Sequence, residues 1–153
     1  MEPAPAPAVP GIAAHARLSE PIRAFLERPL FLSLATVDPD GAPRQALIWY
    51  RLEPDGRILI NSRVGRRWPA NLVRDGRVAI AIADPDDGYS WVGLTGHVES
   101  VVDDEEAALD DIVGLAWRYH PDGPAQSQLD SFRAFCRITF RIAIDGVHDH
   151  LED

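Results

Sequence analysis

Two copies of one four-residue turn constrain the fold of this 153-residue chain more than any other feature. Residues 38–41 read DPDG and residues 53–56 read EPDG, each with proline second and glycine fourth. Proline presets the backbone of the first corner residue of a type I turn, and glycine is common at its end. Strand-like runs surround both turns: LFLSLATV, APRQALIWYRL and RILINS. The pattern predicts three strands in an antiparallel meander.

The rest of the chain predicts short helices set among further strands. LSEPIRAFLERP reads as a helix with Ser19 as its cap and Pro29 as its stop. PANLVRD is predicted as a helix that starts at Pro69 and is ended by Gly76, and DDEEAALDDIVGLAWRYH and SQLDSFRAF also read as helices. RVAIAIAD, YSWVGLTGHVESVV and CRITFRIAIDGVHD read as strands. Six strands with short flanking helices predict a mainly β (α+β) fold, a small antiparallel barrel that is closed or half-closed.

Composition and length indicate one globular domain. Residues 1–17, rich in proline and alanine, are expected to form a disordered tail, and residues 18–150 the domain. No apolar run reaches the ~18 residues of a membrane span, and the N-terminus lacks the basic and apolar regions of a signal peptide. The single cysteine, Cys136, excludes an intramolecular disulfide, and its apolar surroundings predict a buried side chain. We therefore expect a cytoplasmic protein without membrane contacts.

Positive charge is gathered in one segment of an acidic chain. The net charge is −9, yet eight Arg and only three acidic residues lie between Arg44 and Arg77. No basic residue is a Lys, and the planar fork of Arg suits phosphate and carboxylate, although GC-rich coding would also explain this usage. The overall charge argues against nucleic-acid binding. The basic segment predicts a small anionic ligand.

The densest part of this segment is GRRWPANLVRDGRV, residues 65–78. A helix beginning at Pro69 would present unpaired backbone N–H groups and about half a positive charge directly after Arg66 and Arg67. Ser62 can donate a hydroxyl from the end of the preceding strand. These features predict an anion-binding site. The alternative, which the residues alone favour, is a solvated arginine pair on a loop.

An ordered series of stretches resembles the pyridoxamine 5′-phosphate oxidase-like superfamily. The stretches are LATVDPDGAPRQALIWY, ILINSRVGRRWPANLVRDGRVAIAIADPDDGYSWVGLTGHVE and AWRYHPDG, and the resemblance covers residues 19–147. The nearest branch is the one that uses the deazaflavin coenzyme F420. The resemblance implies a six-stranded split β-barrel that forms a homodimer, with the cofactor in a groove contacted by both chains.

The resemblance also implies which residues bind the cofactor. The phosphate would be held by the end of the third strand and the basic segment after it, and the start of the second strand would lie near the ring or tail. Trp91 could form a wall of the ring pocket, although core packing is an equal alternative. The implied residues are Arg44, Gln45, Asn61, Ser62, Arg63, Arg66, Arg67, Trp68, Asn71 and Trp91.

One position departs from the family pattern. Relatives often have Arg-x-Lys before x-Asn-Leu, and Trp68 stands at the lysine position. Arg67 or Arg63 must then replace the phosphate lysine. FMN is therefore less favoured than F420, whose phosphodiester and polyglutamyl tail suit several spread arginines.

The resemblance implies an F420-dependent oxidoreductase that transfers hydride between the reduced coenzyme and a small electron-poor organic acceptor. An FMN-binding enzyme of the same fold and a non-catalytic F420-binding carrier are the alternatives. His97 and Tyr50 are weak candidate proton donors, and a structural or merely exposed role is favoured for each, so no general acid is assigned. His148 and His150 could ligate a metal, but they are expected in a frayed acidic tail and no metal site is predicted.

Overall fold

The structure, a computed structural model, describes residues 17–152. The predicted disordered tail, residues 1–17, lies outside the described residues except for Arg17. The helices are α1 (Glu20–Leu26), α2 (Arg67–Arg74), α3 (Glu105–Tyr119) and α4 (Gln126–Arg133). The strands are β1 (Leu32–Val37), β2 (Pro43–Ile48), β3 (Arg51–Leu52), β4 (Ile58–Arg63), β5 (Arg77–Asp84), β6 (Asp87–Val102) and β7 (Arg137–His150). None of the described helices combines the length and apolar character that a membrane crossing requires.

Both predicted turns are present. The Gly41 N–H donates to the Asp38 carbonyl and the Gly56 N–H to the Glu53 carbonyl, each at 2.9 Å. Both glycines have φ of +88°, a backbone conformation that disfavours residues with a side chain. The repeated turn chemistry therefore sets two of the reversals in the sheet.

All the strands form one antiparallel sheet in the order β2-β1-β5-β6-β7-β4-β3. The two edge strands, β2 and β3, are consecutive in the chain and are separated only by Trp49 and Tyr50. The sheet therefore curls until its two edges lie side by side, which makes a half-barrel. The mainly β antiparallel prediction is confirmed, but the described residues contain seven strands rather than six.

The extra strand arises because the backbone of Tyr50 is diverted from the sheet. Its N–H lies 3.1 Å from the Tyr119 hydroxyl, and its carbonyl accepts from Arg118 Nε at 2.9 Å. Both partners belong to the last turn of α3. The predicted continuous strand APRQALIWYRL is therefore divided into β2 and β3.

Arg118 joins this division to α1. Its guanidinium also donates to the carbonyls of Leu26, Glu27 and Arg28 at 2.8–3.3 Å. The last carbonyls of a helix have no intrahelical donor, so Arg118 caps the C-terminus of α1. One side chain thus connects α3, α1 and the link between β2 and β3.

The core lies inside the curled sheet, with a second apolar layer beneath α3. Burial alternates along β5, so Ile80 and Ile82 point into the core while their neighbours in the strand face outward. β4 is covered on both faces, because Leu59 packs against Ile112 and Leu115 of α3. This second layer positions α3 over the β4–β7 pair.

Three local predictions are wrong. The second helix begins at Arg67 rather than Pro69, and Pro69 is tolerated at the third helical position because N–H groups of the first turn have no intrahelical partner. Cys136 is exposed, since it precedes β7, and its thiol donates to Glu105 at 3.1 Å. Residues 148–150 are not frayed, because they pair with β6 as the end of β7.

We expect Arg118→Ala to lower the free energy of unfolding by about 2–4 kcal/mol, because four backbone carbonyls, three of them in part-buried hydrogen bonds, lose a donor together. Urea denaturation followed by circular dichroism would measure this. Arg133→Ala, at an arginine in the last turn of α4, should change stability by less than about 0.5 kcal/mol. Similar midpoints for the two variants would contradict the capping role of Arg118.

Candidate functional site

A cavity of about 250 Å³ lies beside the N-terminus of α2 and the ends of β4 and β7. We call it the arginine cavity. The structure brings five of the predicted cofactor residues to its wall: Asn61, Ser62, Arg63, Arg66 and Trp68. These five side chains therefore share one surface, formed by the end of β4 and the start of α2.

Arg137, which was not predicted, completes the charge of this cavity. Arg63 and Arg137 are directly opposite each other in the register of β4 and β7, an arrangement of like charges that is normally destabilising. Among the described residues, neither of them nor Arg66 forms an ion pair with a carboxylate. Burial, together with Arg66 and Arg63, lowers the pKa of Arg137 to about 10. The side chain is still protonated at neutral pH, so the cavity carries uncompensated positive charge.

Aromatic rings hold two of these arginines without neutralising them. The guanidinium carbon of Arg137 lies 5.4 Å from the centre of the Phe132 ring, and that of Arg63 lies 4.4 Å from the Phe135 ring. Cation–π contacts of this kind fix the position of a guanidinium but leave its N–H groups available. The charge therefore remains directed at whatever occupies the cavity.

A buried hydroxyl adds a neutral donor to the arginine cavity. Ser62 is 4% exposed, and its hydroxyl has no hydrogen-bond partner in the part of the chain that the structure describes. Buried polar groups are normally paired, so this hydroxyl is available to a water or to a ligand in the cavity. Among residues 17–152, the Arg137 guanidinium meets an acceptor through Nε alone, which donates to Asn61 Oδ1 at 3.0 Å. Such donors suit phosphate oxygens.

The N-terminus of α2 also favours a bound anion. Arg66 is the N-cap, no side chain caps the helix, and no acidic residue lies in its first turn. Cations at this end are unfavourable because the helix dipole already places positive charge there. An anion would be stabilised both by the helix end and by Arg66.

Three other predicted residues lie apart from the arginine cavity, around Asp38. Arg44 Nε donates to Asp38 at 2.5 Å, and Arg67 lies 3.7 Å from the same carboxylate. The buried Asn71 amide donates to Thr36 and to Asp38. Hydrogen bonds from Arg44 and then Asn71 hold the pKa of Asp38 below its usual value. These three side chains are therefore engaged by a carboxylate of the protein itself.

A larger cavity of about 720 Å³ adjoins the arginine cavity and shares Phe31 and Leu47 with it. We call it the apolar cavity. Trp91 lies in its wall and stacks on His148 with ring centres 5.0 Å apart. Apart from the Ser33 hydroxyl and the indole N–H of Trp91, the lining that residues 17–152 provide is apolar, and it contains no titratable side chain. The two cavities together suit a ligand that is anionic at one end and apolar at the other.

The remaining predicted residues lie elsewhere. Gln45 is exposed on β2. Tyr50 is fully buried, its hydroxyl donates to the Arg28 carbonyl at 3.0 Å, and burial raises its pKa above the usual value. His97 lies on β6 with Nδ1 2.9 Å from Asp145, and it lines neither cavity. Neither candidate proton donor faces the cavities.

No metal centre is evident among the described residues, where no group of three or more His, Cys, Asp or Glu side chains could hold an ion. His148 and His150, the pair considered from the sequence, stack with ring centres 6.0 Å apart. His150 Nδ1 lies 2.7 Å from the Tyr89 carbonyl.

Two residues of the cavity wall, Arg137 and Phe132, were not predicted from the sequence. A signal for Arg137 was present in CRITFRIAID, because alternation places Arg137 and Arg141 on one face of a strand. The pairing of β4 with β7, which brings that face to the cavity, joins segments about 75 residues apart and has no local signal.

Comparison with known proteins supports the resemblance. The family model described as pyridoxamine 5′-phosphate oxidase matches residues 18–142. A solved structure named F420 reductase is 26% identical, with a TM-score of 0.70, covering 86% of this chain and 98% of its own. The conserved hypothetical protein Rv2991 from Mycobacterium tuberculosis is also 26% identical, with a TM-score of 0.68, covering 90% of this chain and 88% of its own.

A more distant solved structure shares the fold alone. It is HupZ of Group A Streptococcus, which is 15% identical with a TM-score of 0.62, covering 87% of this chain and 94% of its own. No curated protein sequence matches the chain.

We expect Arg66→Ser to raise the free energy of unfolding of the ligand-free protein by about 0.5–1 kcal/mol. Serine in the extended conformation of this position can cap α2, and the substitution removes a cation from the positive end of the helix. Urea denaturation would measure the gain, with Arg133→Ser as the control. A loss of stability would show that the charge at this position is not unfavourable.

Proposed function

Because the chain belongs to the pyridoxamine 5′-phosphate oxidase family, we propose that it is an oxidoreductase that uses coenzyme F420. It would transfer hydride between the reduced deazaflavin and a small electron-poor organic acceptor. One observation carries the proposal: three arginines without a carboxylate partner surround a cavity that continues into an apolar one.

The fit to a cofactor of this kind rests on the two cavities. Arg63, Arg66 and Arg137, with the unpaired Ser62 hydroxyl, supply donors for a phosphodiester. The shared residues Phe31 and Leu47 lead from there to an uncharged space suited to a flat ring. A ligand that is anionic at one end and aromatic at the other would satisfy both.

Trp68 supports F420 over FMN. Trp68 is 8% exposed, and the centre of its ring lies 5.9 Å from the centre of the Phe140 ring. This position therefore supplies apolar surface rather than charge. A structure named F420 reductase is among the similar proteins at 26% identity. FMN, bound at the same arginines, is the alternative cofactor.

Reduced F420, when bound, supplies the hydride. The residues of the chain hold the anionic end, and the apolar cavity, once a second copy encloses it, would limit the access of water to the ring and an uncharged acceptor. Since that lining has no titratable side chain, the proton would come from water rather than from His97 or Tyr50.

The same lack of an acid–base group favours a second candidate, a carrier that binds F420 without catalysis. Reoxidation of the reduced coenzyme by a panel of enones and quinones separates the two functions. Acceleration above the uncatalysed rate supports the enzyme, whereas tight binding without acceleration supports the carrier.

We also infer that the protein is a homodimer. The outward face of β5 carries Ala79, Ala81 and Ala83, which are exposed. Phe31 and Leu47, beside the apolar cavity, are 61% and 74% exposed. Exposed apolar residues grouped on one face are typical of an interface between subunits, and a second copy would enclose the apolar cavity.

For binding, we expect coenzyme F420 to quench the fluorescence of the four tryptophans at micromolar or lower concentrations, and FMN to do so more weakly. Arg66→Ala should weaken F420 binding by about 1–3 kcal/mol, the scale of a charge-assisted hydrogen bond. Arg67→Ala is the matched control, because its side chain lies beside Asp38 instead, and its effect should be smaller.

The comparison of Arg66→Ala with Arg67→Ala locates the bound anion, because these neighbouring side chains lie in different clusters. If neither F420 nor FMN quenches the tryptophan fluorescence, the proposed cofactor site is contradicted. Equal losses at Arg66 and Arg67 would show that the anion lies between the two clusters rather than in the arginine cavity.

For the dimer, light scattering should give twice the mass of the 16.9 kDa chain. Ala81→Glu, which places a charge on the exposed face of β5, should yield monomers. Val73→Glu, at an exposed apolar residue of α2, should not. A monomeric wild type would contradict the inferred assembly.

A further inference from the structure

A chain of hydrogen bonds reaches from α3 to the arginine cavity. Thr139 Oγ1 donates to Asp111 Oδ2 at 2.8 Å, and Asn61 Nδ2 donates to Thr139 Oγ1 at 2.8 Å. Asn61 Oδ1 then accepts from Arg137 Nε at 3.0 Å. Asn61 and Thr139 are buried and directly opposite each other in β4 and β7. The carboxylate and the arginine are thus linked through two neutral side chains.

The direction of every bond in this chain is determined. A carboxylate only accepts, so the single hydroxyl proton of Thr139 points to Asp111. The Thr139 oxygen is then free to accept from the Asn61 amide. The second N–H of that amide donates to the Ala108 carbonyl at 2.9 Å. Both amide protons are used, which leaves the Asn61 oxygen facing Arg137.

This arrangement holds Arg137 without neutralising it. Arg44 shows the other possibility, because its Nε donates directly to the Asp38 carboxylate. The Nε of Arg137 meets a neutral amide, and Asp111 acts only through two intervening groups. The charge of Arg137 and its terminal N–H groups therefore remain available to a ligand.

We propose that Asp111, Thr139 and Asn61 are positioning residues that fix the guanidinium of Arg137 for the phosphate or phosphodiester of the ligand. The inference rests on the anion site of the proposed function. It extends that site to α3, whose carboxylate lies outside the cavity wall.

A network that only satisfies buried polar groups would behave differently. Its loss would lower stability and would affect ligand affinity equally whether or not Arg137 is present. A positioning network acts through Arg137, so its effect on affinity disappears when Arg137 is removed.

The first test compares Thr139→Val with Thr139→Ser in the full chain, using coenzyme F420 as the probe and tryptophan fluorescence as the readout. Valine keeps the shape but lacks the hydroxyl, so the affinity should fall about tenfold, as for one lost hydrogen bond. Serine keeps the hydroxyl and should bind within about twofold of the wild type.

The second test repeats Thr139→Val in an Arg137→Met background. We expect less than about a twofold further change in the affinity for F420. A tenfold loss in both backgrounds would overturn the inference and leave the network a structural one. Unchanged binding by Thr139→Val in the wild-type background would overturn it as well.

A third measurement does not depend on the ligand. In the free protein, the Nε–H of Arg137 should give a sharp, slowly exchanging NMR signal that persists in Thr139→Ser and is lost in Thr139→Val. Asp111→Asn should weaken this signal, whereas Asp110→Asn, on the exposed side of α3, should not. A signal that survives in Thr139→Val would overturn the inference.

Together, the binding and NMR measurements distinguish the cofactor proposal from the positioning role. If the wild type fails to bind F420 but the Arg137 signal depends on Thr139, the cofactor proposal fails and the positioning role stands. If F420 binds and the signal ignores Thr139, the cofactor proposal stands and the positioning role fails.

Discussion

The hydrogen bonds between the end of α3 and the backbone of Tyr50 are the contact on which the rest of the structure depends. Arg118 and Tyr119 engage the carbonyl and the N–H that would otherwise continue the sheet from β2 to β3. The sheet is therefore divided at this point, and Trp49, stacked on Tyr119 at 5.0 Å, becomes part of the wall of the arginine cavity. The opening of the barrel and the position of the site have the same cause.

The site opposes local stability in two places. Arg63 faces Arg137 across the β4–β7 pair, and α2 begins with cations at its positive end. The cost is offset by the second apolar layer beneath α3 and by the phenylalanine rings under the guanidinium groups. Local rules are commonly violated where a protein binds a ligand. Here both unfavourable arrangements of positive charge lie at one cavity, and a bound anion would stabilise both.

The sequence predicted what depends on near neighbours. The two proline–glycine turns, the strand RVAIAIAD and the Ser19 cap were all readable because each involves residues a few positions apart. The division at Tyr50 was not, because its partners lie up to 69 residues away. The basic segment was predicted as a single site. It resolves into two clusters because consecutive residues at a helix start point in different directions, so Arg66 faces the cavity while Arg67 approaches Asp38.

Trp68 departs from the family pattern, and in the proposed site the positive charge comes from other elements of the fold. In the proposed site, no cation comes from the Trp68 position, because its ring packs into the core on Phe140. The charge comes instead from β7, where Arg137 lies opposite Arg63. A lysine on a helix is a mobile point charge, whereas two arginines held by a sheet and by aromatic rings present fixed planar donors. Such a pair can contact two phosphate oxygens at once, so it fixes the orientation of the bound anion as well as its position.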